Sequence, residues 1–148
     1  MLEIIEMQAG DPRWEDFISF AQESAWPAGP YLAKMMRENR FLEWERVFAA
    51  CEDGVPAGYC NLTKYDEMPE GSEYTPFIGF VYVDPAYRGH RISGHMIKAA
   101  VEYARSLGDE KVYVMSGEHG LYEKYGFVKI GDYPTIYGDV DQLFGMSI

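Results

Sequence analysis

The sequence predicts an α+β protein, a single domain over residues 1–148 with a mixed, largely antiparallel sheet flanked by helices. Three observations lead there. Asp53-Gly54 joins two strand-like runs, RVFAACE and GYCNLTKY, as a hairpin turn would. The run FIGFVYV is apolar on both faces, as a central strand of a covered sheet must be. One long helical stripe then separates it from a further strand, KVYVMS. Hairpins combined with a single β-α-β crossover give α+β architecture and not a doubly wound sheet.

Taken in order, Leu2 to Met7 reads as a first strand. Asp11 is the expected cap of a helix with Pro12 at its first position, because Trp14, Phe17, Ile18 and Ala21 then recur at helical spacing. A second helix is expected from Gly29-Pro30 through YLAKMMREN. The hairpin and the central strand follow. From Ile92, the residues Met96, Ile97, Ala100, Val101, Ala104 and Leu107 form one apolar stripe closed by Gly108. After KVYVMS, a short helix HGLYEKYG ends at Gly126, a strand FVKIGDY follows, and DQLFGMSI holds a last strand. The predicted order is β-α-α-β-β-β-α-β-α-β-β.

Composition limits the function. A chain of 148 residues buries about two-thirds of the surface it exposes when unfolded, so it needs no covalent staples. Its net charge of −11 argues against nonspecific nucleic-acid binding, which requires a basic face, and favours cationic partners. Cys51 and Cys60 lie in the predicted hairpin, where they could face each other across the strands. The simpler reading is two thiols in a reducing compartment, since there is no C-x-x-C and no disulfide framework. Acids stand where a signal peptide needs basic residues, and no apolar run approaches a membrane span. A soluble cytoplasmic domain without membrane attachment is expected, and a homodimer stays compatible with this reading.

The loop after the central strand carries the chemistry. From Pro85 to Val101 there is no acid, whereas Arg88, His90, Arg91, His95 and Lys98 are all present. Residues 88 to 95 contain no proline, so each supplies an amide N–H at the start of a helix, where amides lack partners and the dipole is positive. An anion fits such a place. Gly89 and Gly94 have the spacing of a triphosphate loop, but His95-Met96 replaces the Lys-Ser/Thr pair that such a loop requires. There is no G-x-G-x-x-G either, which weakens a dinucleotide fold. A small-molecule kinase is therefore disfavoured.

Val81-Tyr82-Val83, the following loop Arg88-Gly89-His90-Arg91-Ile92-Ser93-Gly94 and the helix after it resemble the GNAT superfamily of N-acetyltransferases. In that family a V-x-V strand ending leads into Q/R-x-x-G-x-G/A. Arg91 and Ser93 replace the two small positions. A second block, Leu121 to Phe127 (LYEKYGF), is similar to the family's L-Y-x-K-x-G-F, and the element order matches over nearly the whole chain.

The resemblance implies a co-substrate, acetyl-CoA or another acyl-CoA, and no metal. Its pyrophosphate would lie on the amides of Arg88 through Gly94. Its pantetheine would run along Val81 and Val83 like an added strand. If residue 91 needs a positive φ, arginine costs about 1–2 kcal/mol there, which pairing of its guanidinium with a phosphate can offset. An amide near Val81 or Tyr82 would polarise the thioester carbonyl. Tyr122 matches the family tyrosine that acts as general acid at the sulfur, and Tyr125 reads as packing. The base stays open. Phe77 occupies the position where many members carry a glutamate, which leaves Glu73, Glu118, His119 or a water relay. The segment Trp26 to Tyr31 borders the expected acceptor cleft, although core packing is the stronger reading for its aromatics. The expected activity is transfer of an acetyl group to a primary amine of a small molecule or protein. The alternative is an acyl-CoA-binding sensor without turnover.

Overall fold

In the computed structural model, which describes residues 1–148, the order is β1 (Leu2–Met7), α1 (Trp14–Gln22), α2 (Ala28–Arg37), β2 (Arg46–Glu52), β3 (Val55–Thr63), β4 (Phe77–Val83), α3 (Ile92–Ser106), β5 (Lys111–Ser116), β6 (Val128–Pro134) and β7 (Val140–Ser147). Short 3-10 turns occupy Pro85–Tyr87 and Tyr122–Tyr125. The strands form one seven-stranded sheet in the order β1-β2-β3-β4-β5-β7-β6. Every neighbouring pair is antiparallel except β4 with β5. The predicted α+β class and element order are therefore observed.

Alternation along the strands divides the core between two faces. Phe48, Cys60, Leu62 and Ile78 pack against Met96, Ile97, Ala100 and Ala104 of α3. Val47, Ala49, Tyr59 and Tyr82 pack on the other face against Phe17, Leu32 and Met36 of α1 and α2. Cys51 belongs to the second cluster and Cys60 to the first, so the two thiols lie on opposite faces and both are free. They do not face each other across the hairpin. No helix is long and apolar enough to cross a membrane.

Two local expectations change. Helix α1 starts at Trp14 after Arg13, and Asp11 does not cap it. The Asp11 carboxylate instead accepts from the Gln8 amide at 2.7 Å, while the Asp11 amide donates to the Gln8 carbonyl at 3.1 Å. The short acidic side chain closes the preceding turn, a competing use of aspartate beside a helix start. The predicted helix around LYEKYG is only a 3-10 turn, ended at Gly126 with φ 97°.

Strand β4 is not regular. Asn61 pairs with Gly79 but Tyr59 pairs with Tyr82, so β4 spends one residue more than β3 over the same span. Phe80, at φ 52°, is the extra residue of this β-bulge. The bulge shifts the side-chain parity, so Val81 and Val83 join Ile78 on the α3 face.

Helices α1 and α2 meet closely at Gly29. A Cβ there would run into the Ala21 carbonyl and come within 2.8 Å of the Ser24 Cβ. Gly29→Ala should destabilise the protein by about 1–3 kcal/mol, as overpacking does, and urea unfolding would measure it. An unchanged midpoint would mean that α2 can shift freely.

Candidate active site

Strands β4 and β5 are registered only at Phe77 and Tyr113, reinforced by the Tyr113 amide donating to the Pro76 carbonyl at 3.0 Å. Beyond that point they part. A cleft of about 1300 Å³ opens between them, with 20 of its 37 lining residues hydrophobic. One half is walled by β4 and the start of α3. The other is walled by the α1–α2 connection, the β3–β4 loop and the β6–β7 turn.

At the α3 end, His95 is the first residue to donate along the helix, to the Arg91 carbonyl at 3.2 Å. The amides of Ile92, Ser93 and Gly94 precede it and have no acceptor within the helix. Gly89 adopts φ 89° and Arg91 φ 60°, so the loop does require a left-handed residue at position 91 and arginine fills it. The Arg88 Nε donates to the Val83 carbonyl at 3.0 Å, and its guanidinium lies 5.9 Å from the centre of the Tyr82 ring. That anchors the loop to the end of β4.

Ser93 and Tyr125 share a hydrogen bond of 2.8 Å between their hydroxyls. A Cβ at Gly94 would lie 3.1 Å from the Tyr125 ring. Tyr125 thus packs on the start of α3, and Ser93 holds it there. Val81, Tyr82, Val83, Arg88, Gly89, Arg91, Ile92 and Ser93 line the cleft. His90 is exposed and Gly94 lies under Tyr125; neither is part of the lining.

Tyr122 lines the same cleft, buried against Phe127 and Phe144 at ring separations of 6.0 and 5.8 Å. Burial raises its pKa well above the ordinary tyrosine value, with Cys60 and Asp66 adding smaller contributions in the same direction. Its phenol therefore stays protonated, and a donor, at any working pH.

Of the acids and histidine singled out as bases, Glu73 and His119 are exposed and outside the cleft lining. Glu118 lines the cleft from an exposed position. The structure brings further carboxylates into the cleft, among them Asp66 and Glu67 of the β3–β4 loop. The Asp66 carboxyl fills the space where a Cβ at Gly79 would stand, one residue before the bulge. Residue 66 keeps some surface exposure while its carboxyl is enclosed; desolvation pushes its pKa to about 7, and Asp141 adds to the rise. Burial likewise raises Glu67, and the neighbouring Asp141 and Asp66 carboxyls add to the rise. Beneath them, fully buried Asn61 has neither side-chain amide atom hydrogen-bonded. Sequence reasoning missed this group, because KYDEMPEGSE reads as a solvated acidic loop and only the fold turns two of its residues inward.

Aromatic rings complete the second half of the cleft. Trp26 stacks on Tyr82 at 5.7 Å with rings 4° from parallel, and Tyr31 lies parallel to Phe80 at 6.0 Å. The Trp26–Tyr31 segment is therefore partly core, as expected for packing aromatics, and partly cleft wall.

A sheet whose central strands part beside a bulge, with unpartnered amides at the mouth of the opening, offers backbone donors to an extended, anion-bearing ligand. The chain belongs to the acetyltransferase (GNAT) family, whose model matches residues 12–127. It is 34% identical over 84 residues to a glucosamine 6-phosphate N-acetyltransferase of Trypanosoma brucei brucei, a match that covers 55% of this chain and 57% of that protein. It is similar in fold to a GNAT family acetyltransferase from Elizabethkingia anophelis with acetyl-CoA bound, at TM-score 0.67, 17% identity and coverage of 99% and 98% of the two chains. An aminoglycoside 6'-N-acetyltransferase complexed with coenzyme A superposes at TM-score 0.73, with 17% identity over 98% and 96%.

Two outcomes test this geometry. Asp66 binds its proton more tightly folded than unfolded, so the folded state is relatively favoured below about pH 4 and loses that advantage as pH rises toward about 7. Asp66→Asn should therefore raise Tm at pH 8 and change it little at pH 4, as calorimetry would show. Arg91→Gly should raise Tm by relieving a strain of about 1–2 kcal/mol. CoA affinity by titration calorimetry should stay within about tenfold if the backbone amides hold the anion, tenfold being about 1.4 kcal/mol. Complete loss would assign the site to the arginine side chain.

Proposed function

We propose that the protein is an acetyl-CoA-dependent N-acetyltransferase that moves an acetyl group to a primary amine of a small molecule or protein. The observation that carries this reading is the continuity of one cleft, lined together by β4 beyond its registered pair with β5, by Ile92 and Ser93 at the start of α3, and by Tyr122. The residues fit the co-substrate. Ile92, Ser93 and Gly94 offer amides for a pyrophosphate, and Val81 and Val83 offer backbone to an extended pantetheine arm. Acetyl-CoA supplies the activated acyl group as a thioester when bound.

The rest is done by this chain. A backbone N–H at Val81 or Tyr82 stabilises the carbonyl oxygen as the amine nitrogen bonds to its carbon. As the C–S bond breaks, Tyr122 donates a hydrogen bond to the sulfur, which leaves with the electron pair. Because burial holds the Tyr122 proton tightly, its role is stabilisation of the departing thiolate by a charge-assisted hydrogen bond. The two free, buried thiols support placing the protein in the cytoplasm.

Thiol release from acetyl-CoA in the presence of a panel of amines tests the activity, with CoA and Mg-ATP compared by thermal shift. CoA should stabilise the protein, and stabilisation by ATP alone would overturn the reading. Tyr122→Phe should lower kcat by about 10²-fold or more with KM for acetyl-CoA unchanged. Unaltered turnover would remove Tyr122 from the chemistry.

A further inference from the structure

The acceptor half of the cleft differs from the CoA half in charge and in polar satisfaction. It contains Asp66, Glu67, Glu70 and Glu118, walled by Trp26, Tyr31, Phe80 and Tyr137. Its cations are already engaged. Arg40 is paired with Glu38 at 2.6 Å, and the Lys64 ammonium lies 5.2 Å from the Tyr65 ring centre. Arg88 and Arg91 belong to the far, phosphate-binding end. Within this acidic and aromatic chamber the fully buried Asn61 amide has no partner, and one Glu67 carboxylate oxygen is also unpartnered. Buried polar groups are rarely left so unless a ligand or water completes them.

Position supplies the second half of the argument. Asn61 and Gly79 are registered partners on β3 and β4, and the Asp66 carboxyl is seated on Gly79. That places a carboxylate and a free amide at the bulge, where β4 leaves β5 and where the carbonyl donors Val81 and Tyr82 begin. Asp66 and Tyr122 also line the same cleft.

Resting on the acetyltransferase reading, we infer that Asp66 is the proton acceptor of the reaction, and that the chamber around it takes small amines carrying only positive charge. An ammonium enters between the aromatic faces, which attract cations, and hydrogen-bonds to Asp66 and the Asn61 carbonyl oxygen. Asp66 takes one ammonium proton and passes it to solvent. The neutral nitrogen then bonds to the acyl carbon, the C–S bond breaks, and the second N–H proton ends on the departing sulfur. The net products are an amide, a thiol and one released proton. A phosphate on the acceptor would instead meet carboxylates, so this chamber is not built for a sugar phosphate such as the one in the name of the Trypanosoma brucei brucei relative.

The groups facing the Asp66 carboxyl are Glu67 on its own loop, Asp141 of β7, Tyr122 of the 3-10 turn and Tyr137 of the β6–β7 turn, while β3 and β4 offer only neutral Asn61, Gly79 and Phe80. Burial and the Asp141 charge raise Asp66, a hydrogen bond from the Glu67 backbone lowers it, and the group is needed as the carboxylate. Turnover should therefore rise with pH through about 7.

The experiment measures thiol release from acetyl-CoA with 1,4-diaminobutane, glucosamine and glucosamine 6-phosphate, with CoA binding followed separately by calorimetry. The expected result is a kcat/KM for the cationic amines at least about tenfold above that for the phosphorylated one. Asp66→Asn should lower kcat by about 10²- to 10⁴-fold, abolish the acidic limb and leave CoA affinity unchanged. Gly79→Ala, which displaces the Asp66 carboxyl, should reproduce the loss of kcat. Equal or better use of glucosamine 6-phosphate overturns the inference, as does an Asp66→Asn enzyme that keeps kcat. CoA binding without transfer to any cationic amine overturns it too, while leaving the CoA cleft in place. Failure to bind CoA at all sinks the acetyltransferase reading itself. Should Asp66→Asn lose CoA binding through misfolding, a native profile flat from pH 6 to 8 is the overturning result.

Discussion

One additional residue in β4 sets the geometry on which the site depends. Placing Phe80 at positive φ changes which side of the sheet the following residues face, beside the place where β4 has parted from β5 after the single registered pair at Phe77. The edge of β4 is thereby left without a strand partner inside a folded protein. Unpaired strand edges are normally covered or blunted. Here the cleft keeps this one accessible, and the wall it forms is the natural seat for an extended ligand that pairs with backbone.

The loop that follows shows how free amides at a helix start are kept without a glycine at every left-handed position. What holds a phosphate is a set of N–H groups at a helix start, and those depend on backbone conformation more than on side-chain identity. Gly89 and Arg91 both adopt positive φ, so the path of the chain is kept although one of them carries a large side chain. Arg88 ties the same loop back to the end of β4, and Ser93 with Tyr125 fixes the first turn of α3 from the opposite side. The departures from a glycine-rich pattern are thus absorbed by contacts that only these residues make.

The two halves of the cleft carry opposite charge for a physical reason. The start of α3 and the arginines before it put positive potential at one end, while the β3–β4 loop turns carboxylates into a partly apolar chamber at the other. Desolvation makes those carboxylates proton-binding groups near neutral pH, a property that an exposed acid of the same loop would not have. The low dielectric that raises Asp66 also keeps Tyr122 protonated. A carboxyl that titrates near neutral pH and a phenol that stays protonated are therefore produced by the same burial.

The sequence by itself determined the element order and the central strand, because these depend on local periodicity and turn chemistry. Strand limits such as Arg46–Glu52 and Phe77–Val83 were legible since alternating or continuous apolar runs end at clear turn residues. Asp11 was misread as a helix cap because capping and turn closure use the same side chain in the same place. Only the tertiary structure decided that Cys51 and Cys60 lie on opposite faces, that β4 carries a bulge, and that Asp66 and Asn61 meet at Gly79. Each of these depends on register between strands or on the path of a loop folded back over the sheet. Neither leaves a periodic trace in the chain.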